Sequence, residues 1–268
     1  MRHTLFACFC LGLTATAALA HETWIEPRSY QIAPDQTLEA DLRNGEKFSG
    51  FKLAYVPSKQ VRLDIVMDGV VTPVEGRMGD IPAVAAPVAG EGLAVVVYVS
   101  TQNILRYTEA EKFVNFTTHK DFAWVQDRHR ERGLPEINFR EGYIRHAKAL
   151  VAVGNGQGQD MEMGLETEFV ALDNPYLPDF DGVMDVKLLY QGAPRTDTQV
   201  EVFDRAPDGT VSISTTRTDA AGVAMVPVLP QHTYMIDAVV MREPTPEVAQ
   251  SDDIVWQSLW ADLTFTVR

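Results

Sequence analysis

Cysteine is almost missing from this 268-residue chain: Cys8 and Cys10 are the only two. Both fall in an opening stretch with the marks of a secretory signal. Arg2 supplies a positive start, Leu5 to Leu19 is apolar, and Ala18-Leu19-Ala20 offers the small-residue cleavage pattern. Residues 1–20 are therefore expected to be removed on export to the periplasm, leaving a mature chain with no disulfide and no thiolate ligand or nucleophile. Long hydrophobic runs are also scarce. The signal run is shorter than the ~20 residues of a bilayer span, and the next longest, Leu93 to Val99, has the length of a strand. No membrane span is expected in the mature chain. Basic residues are few, 23 against 37 acidic, and losing Arg2 takes the formal charge from −14 to about −15. So acidic a chain does not suit nucleic acid or anionic membrane surfaces as partners; it suits cations, or the charge serves solubility alone.

Familiar catalytic signatures are missing too. The glycine-rich "GNGQGQ" at 154–159 lacks both the Gly-Lys-Ser/Thr ending of a P-loop and the spacing of a dinucleotide fingerprint. No GxSxG elbow or HExxH is present, and the acidic residues show no pairing diagnostic of a glycosidase.

What the chain does contain is mostly strand pattern. Leu38, Ala40 and Leu42 alternate with charged residues, as do Val61, Leu63 and Ile65. Asp68-Gly69 then predicts a tight hairpin, because both positions of such a turn need positive φ. Gly92 to Thr101 reads as a strand buried on both faces. The pattern breaks at 108–133. Thr108-x-x-Glu111 predicts a capped helix, and Thr117 or Thr118 would cap a second, Lys120 to Arg132, ended by Gly133 and Pro135. Strand pattern resumes from His146 to Val153. "DNPYLPDFDG" at 173–182 reads as a linker, followed by closely spaced strands and turns in the manner of a small immunoglobulin-like sandwich. The expected architecture is mainly β, with two immunoglobulin-like β-sandwich domains: an N-terminal β-rich domain, 21–172, with the helical insertion 108–133, then a C-terminal sandwich, 173–268. Trp256 and Trp260 fall on the face opposite Leu259, Ala261, Leu263 and Phe265. They suit a domain interface or core edge better than a sugar-stacking platform, and Met161 and Met163 suit packing better than Cu(I) binding.

His21 is the residue that could carry chemistry. As residue one of the mature chain it would bear an α-amine of pKa about 7.7–8.0 beside an imidazole near 6.5. Amine and Nδ1 of one residue can close a chelate on nickel, cobalt or copper. Further nitrogen donors would be His119, ahead of the second helix, and His232, in the turn "PQHTY", with His129 next and His146 last. Loop positions at element ends can be aimed into a shared cleft. The expected function is periplasmic transition-metal binding that assists uptake, with a metal ion or metal chelate as ligand and a membrane transporter or outer-membrane receptor as partner. No enzymatic activity is expected. The alternatives are a histidine-brace copper mono-oxygenase, which needs a second histidine close to His21, and a non-catalytic sandwich module that binds polysaccharide or protein.

Ordered short motifs add a resemblance. "HETWIEP" at 21–27, "EADLRNGEKFSG" at 39–50, "EKF" and "RGLP" at 111–113 and 132–135, "YIRHAKALVAVG" at 143–154, then "NPY", "LYQGAP", "RTDAAGVAMVPV" and "SLWADLTF" together resemble a domain-of-unknown-function family associated with periplasmic nickel uptake. The resemblance spans essentially the mature chain. It implies an exported β-rich protein tied to transition-metal uptake, with His21 as prime ligand. It lowers His146, where the family commonly carries an aromatic.

Overall fold

Three β-sheets stack face to face in the computed structural model, which describes residues 21–268; the expected signal, 1–20, lies outside the described residues. The first sheet joins Glu22–Pro27, Thr37–Glu46, Ser49–Leu53 and Val84–Pro87. The third joins Thr167–Ala171, Val183–Tyr190, Ala193–Pro194 and Val223–Pro227. Between them lies a ten-stranded sheet. Its main path runs Val211–Arg217, Gln199–Arg205, Thr233–Arg242, Trp256–Thr266, Phe139–Val153, Gly92–Ser100, Gln60–Met67 and Val70–Pro73, with Gln31–Ile32 and Asn103–Tyr107 also paired to Phe139–Val153. The expected mainly β sandwich architecture is borne out.

The pattern of the central strands explains the layering. Ala94, Val96 and Tyr98 pack with Ile25, Leu38 and Val84 of the first sheet. Leu93, Val95 and Val97 pack with Phe169, Met184 and Val186 of the third. A strand between two apolar layers has to be apolar at every position, which is why Gly92–Ser100 is nearly continuous in hydrophobic residues. Phe139–Val153 is used the same way and pairs with Trp256–Thr266 in parallel, Glu141 opposite Trp256 through Ala149 opposite Thr264. The strand starts seven residues before the expected His146, because its first part pairs with Asn103–Tyr107.

Asp68 and Gly69 adopt φ of 51° and 76° and close the expected hairpin. Two helices, Ala110–His119 and Ala123–Glu131, occupy the insertion. Their starts differ from expectation. The first N-cap is Glu109 and makes no side-chain capping bond. The second helix begins three residues after Lys120, because Lys120 turns into the core toward Glu201 and Asp237 and Asp121 takes a φ of 63°. Thr117 caps nothing; its hydroxyl donates back to the Phe113 carbonyl. Gly133 ends the second helix at φ 65°, as expected. The helices roof an aromatic cluster in which Phe113 and Phe116 meet Trp256 and Trp260. Both tryptophans are buried. A short third helix, Pro246–Asp252, was not expected; Thr245 accepts from Val248 N as its N-cap and Pro246 opens its first turn, a start signal visible in "TPEV". Among the described residues no helix is long and apolar enough to cross a membrane.

Candidate functional site

The strand Glu22–Pro27 fixes the chain directly after His21. Glu22 and Thr23 pair with Gly45 and Asn44, and Asn44 Nδ2 donates to the Glu22 carbonyl at 3.2 Å and to Thr23 Oγ1 at 2.9 Å. Thr264 Oγ1 donates to the Ile25 carbonyl at 2.6 Å, tying the strand to the central sheet. Arg145 Nη2 donates to the His21 carbonyl at 2.5 Å. The backbone of His21 is thus held, while its ring stays 57% exposed with Nδ1 4.0 Å from Glu46 Oε1. His21 stands at the edge of a cleft of about 330 Å³ walled by Tyr107, Phe116, Tyr143, Arg145 and Trp260.

Next to His21 the chain enters a buried charged cluster. Glu201, Asp237 and Asp262 occur at registered positions on three neighbouring strands of the central sheet. Lys120 Nζ lies 2.5 Å from Glu201 Oε2 and 2.5 Å from Asp237 Oδ2. Burial pushes the Glu22 carboxyl up to about 8, and the Lys120 ammonium only partly offsets this. Asp262 is raised well above the ordinary carboxylate value, by burial first and then by Asp237, and neither of its oxygens has a hydrogen-bond partner. Asp237 is raised by burial as well. Glu201 goes the other way: burial opposes its charge, but the bond to His119 and the charge of Lys120 hold it below the ordinary carboxylate range. Lys120 rises despite burial because Asp237, Glu201 and Glu22 surround it. Its ammonium also lies 4.9 Å from the Trp260 ring centroid. Single acids inside apolar runs, "YMIDAVVM" and "LWADLTF", were the sequence signal for this cluster, since an unpaired buried acid is costly. Reading histidines alone missed it.

The expected histidines separate. His119 reaches the cluster, its Nε2 2.8 Å from Glu201 Oε1, so His21 and His119 border the same group of charges. His232 does not join them. Its Nδ1 lies 2.6 Å from Asp204 Oδ1, and Asp204, three residues after Glu201 on one strand, projects from the opposite sheet face. His129 is buried against Phe113, Phe139 and Trp256. Its Nδ1 accepts from Trp256 Nε1 at 2.9 Å and its Nε2 donates to the Pro135 carbonyl at 2.9 Å, so both ring nitrogens are committed. His146 is also buried, with Nδ1 3.1 Å from the Trp260 carbonyl and its pKa pushed down to about 4 by desolvation. Among the described residues, no three His, Cys, Asp or Glu side chains are gathered so as to hold a metal ion. The α-amine that cleavage would create at His21 would be a main-chain donor additional to these side chains.

No curated protein matches the chain. Among solved structures, the crystal structure of a tetra-tandem repeat in the extending region of a large adhesion protein is similar, at 10% identity over 92% of this chain and a TM-score of 0.21. This chain spans 49% of that one, and a likeness at that score carries no argument. The family is reached from the sequence instead: residues 18–242 match the domain of unknown function DUF4198, and the chain belongs to that family.

Proposed function

We propose that this protein is an exported carrier of a transition metal, nickel, cobalt or copper, held by the first residue of the processed chain and passed to a membrane transporter or outer-membrane receptor. The observation that carries the reading is the posture of His21. Its carbonyl is anchored by Arg145 while its ring is exposed at the mouth of a cleft, 4.0 Å from the Glu46 carboxylate. Cleavage after Ala20 would place an amine and an imidazole nitrogen of one residue on a single metal, with Glu46 within reach as an oxygen donor. Such a donor set leaves coordination positions open, which suits a metal that must be released again. Of the further histidines, His119 is the better placed to assist, because it borders the cluster that contains Glu22. Metal and protons compete for both nitrogens, so affinity should fall as the pH is lowered.

The test is titration with nickel, cobalt and copper of mature protein starting at His21, and of the same protein with one glycine ahead of it. The extension should weaken binding at least ~10-fold, about 1.4 kcal/mol. His119→Ala should weaken it as well, and His232→Ala should leave it unchanged. Equal affinity with and without the added glycine would remove the amine from the site.

A further inference from the structure

The cleft beside His21 is cationic in a protein whose formal charge is −14. Arg106 and Lys112 stand on its rim, and Arg145 forms part of its wall. Arg106 is exposed. Lys112 pairs with Glu109 at 2.8 Å, an exposed i,i+3 contact of little worth. Arg145 is different: it is 6% exposed, its Nη2 goes to the His21 carbonyl, and its Nε and Nη1 are buried without a hydrogen-bond partner. The guanidinium lies 3.8 Å from the Trp260 ring centroid, and Trp260 stacks on Phe116 at 5.7 Å. The one acid on the wall, Glu141, already accepts from Tyr107 Oη at 2.8 Å and from Ser258 Oγ. A concave site of about 330 Å³ with aromatic walls and three cations has the size and make-up of a small-molecule pocket. Its low-dielectric walls would focus the field of those cations on an anion, and unmet guanidinium donors favour a carboxylate.

We propose that this cleft binds a small organic carboxylate, the chelator that accompanies the metal to His21. The anion site stands on Arg145, Arg106 and Lys112 alone; the identity of the anion as a chelator rests on the metal reading above. His21 would contribute two nitrogens, and carboxylate oxygens of the chelator would fill positions that the protein leaves open. Specificity then lies in the chelator as much as in the metal. This accounts for a metal carrier whose own side chains form no closed ligand set.

The experiment is calorimetric titration of mature protein with citrate, with nickel, and with nickel plus citrate, beside the double variant Arg106→Gln/Lys112→Gln. Both substituted residues lie on the cleft rim, so the fold should survive, which circular dichroism would check. Citrate should bind metal-free protein. The double variant should bind it about tenfold more weakly yet bind nickel alone as the parent does. Nickel and citrate together should bind more tightly than either alone. Citrate that fails to bind with or without nickel, or that binds parent and double variant equally, overturns the proposal. If nickel alone then still binds, the metal reading survives that failure. If citrate binds as expected and nickel does not, the anion site holds and the metal reading falls.

Discussion

His146 shows how one residue can be chemically conspicuous without belonging to the site. It sits inside the central sheet, bonded to the Trp260 carbonyl, with its pKa near 4 because burial disfavours the imidazolium. The unfolded chain has the ordinary value of 6.5. Between those values the unfolded state binds a proton that the native state refuses, so stability is full above about pH 6.5 and falls as pH drops toward 4. The loss reaches about 3 kcal/mol at the lower limit. In His146→Phe that part of the acid limb should vanish. Unfolding free energies from urea titration should shift by about 2 kcal/mol in favour of the variant on going from about pH 7 to about pH 5; parallel curves would mean that His146 takes up its proton as readily in the fold as in the unfolded chain. The other histidines show what a sequence can and cannot say of a site. His21 stood out through its place after a cleavage pattern, a signal in the sequence itself. The link from His119 to Glu201, the commitment of both His129 nitrogens and the facing of His232 away from Glu201 depend on pairings between residues tens of positions apart. No local pattern encodes those.

Elements were legible where local chemistry and the fold agree. Asp68-Gly69 is a turn that the sequence states outright. The turn between Thr37–Glu46 and Ser49–Leu53 is its counterexample: Lys47 and Phe48 adopt φ of 52° and 57°, the geometry of a two-residue hairpin that ordinarily takes Asn-Gly. Long-range packing overrides that preference. Phe48 is buried in edge contact with Trp24 at 5.7 Å and Phe203 at 6.4 Å, and Arg205 covers it at 4.6 Å. Lys47 is exposed and gains nothing from its left-handed backbone. Lys47→Asn should therefore raise stability by roughly 0.5–1 kcal/mol, since asparagine tolerates this conformation better. Phe48→Asn, equally tolerant in backbone, should lower stability because it empties the aromatic site. Thermal melts of the two variants should move in opposite directions, and a destabilised Lys47→Asn would mean that the lysine makes a contact worth more than its strain. The helical insertion was likewise legible in place but not in its boundaries, because the buried pairing of Lys120 with Glu201 and Asp237 breaks the chain between the helices.

At the scale of the molecule, the expected boundary at 172/173 does not divide the central sheet, which draws strands from both sides of that point. Phe139–Val153 pairs along nine residues with Trp256–Thr266. Its Ala147, Ala149 and Val151 belong to the core under the first sheet, and its Leu150 and Ala152 to the core under the third. One strand therefore serves two cores with its two faces. Alternation of this kind is visible in sequence only as an unbroken apolar run, which says that both faces are covered but not by which segments. Parallel pairing between strands more than a hundred residues apart leaves no local trace at all. The energetic consequence is coupling. Unfolding residues 173–268 would strip Trp256–Thr266 from the middle of the sheet, leave a row of backbone groups on Phe139–Val153 unpaired, and expose Leu150 together with Val95 and Val97 to water. Each buried apolar side chain lost in this way costs about 1.5–3 kcal/mol, comparable in sum to the stability of a whole domain. The two segments should accordingly melt in a single calorimetric transition, with calorimetric and van't Hoff enthalpies in agreement, and residues 21–172 expressed alone should lack a cooperative transition. Two resolved transitions, or a cooperatively folding 21–172, would show that the shared sheet transmits little energy and that each segment is stable by itself. The same coupling bears on His21. Its strand is fastened to Thr264 near the far end of the chain, so the residue proposed to bind metal would be held in place only once both segments have folded.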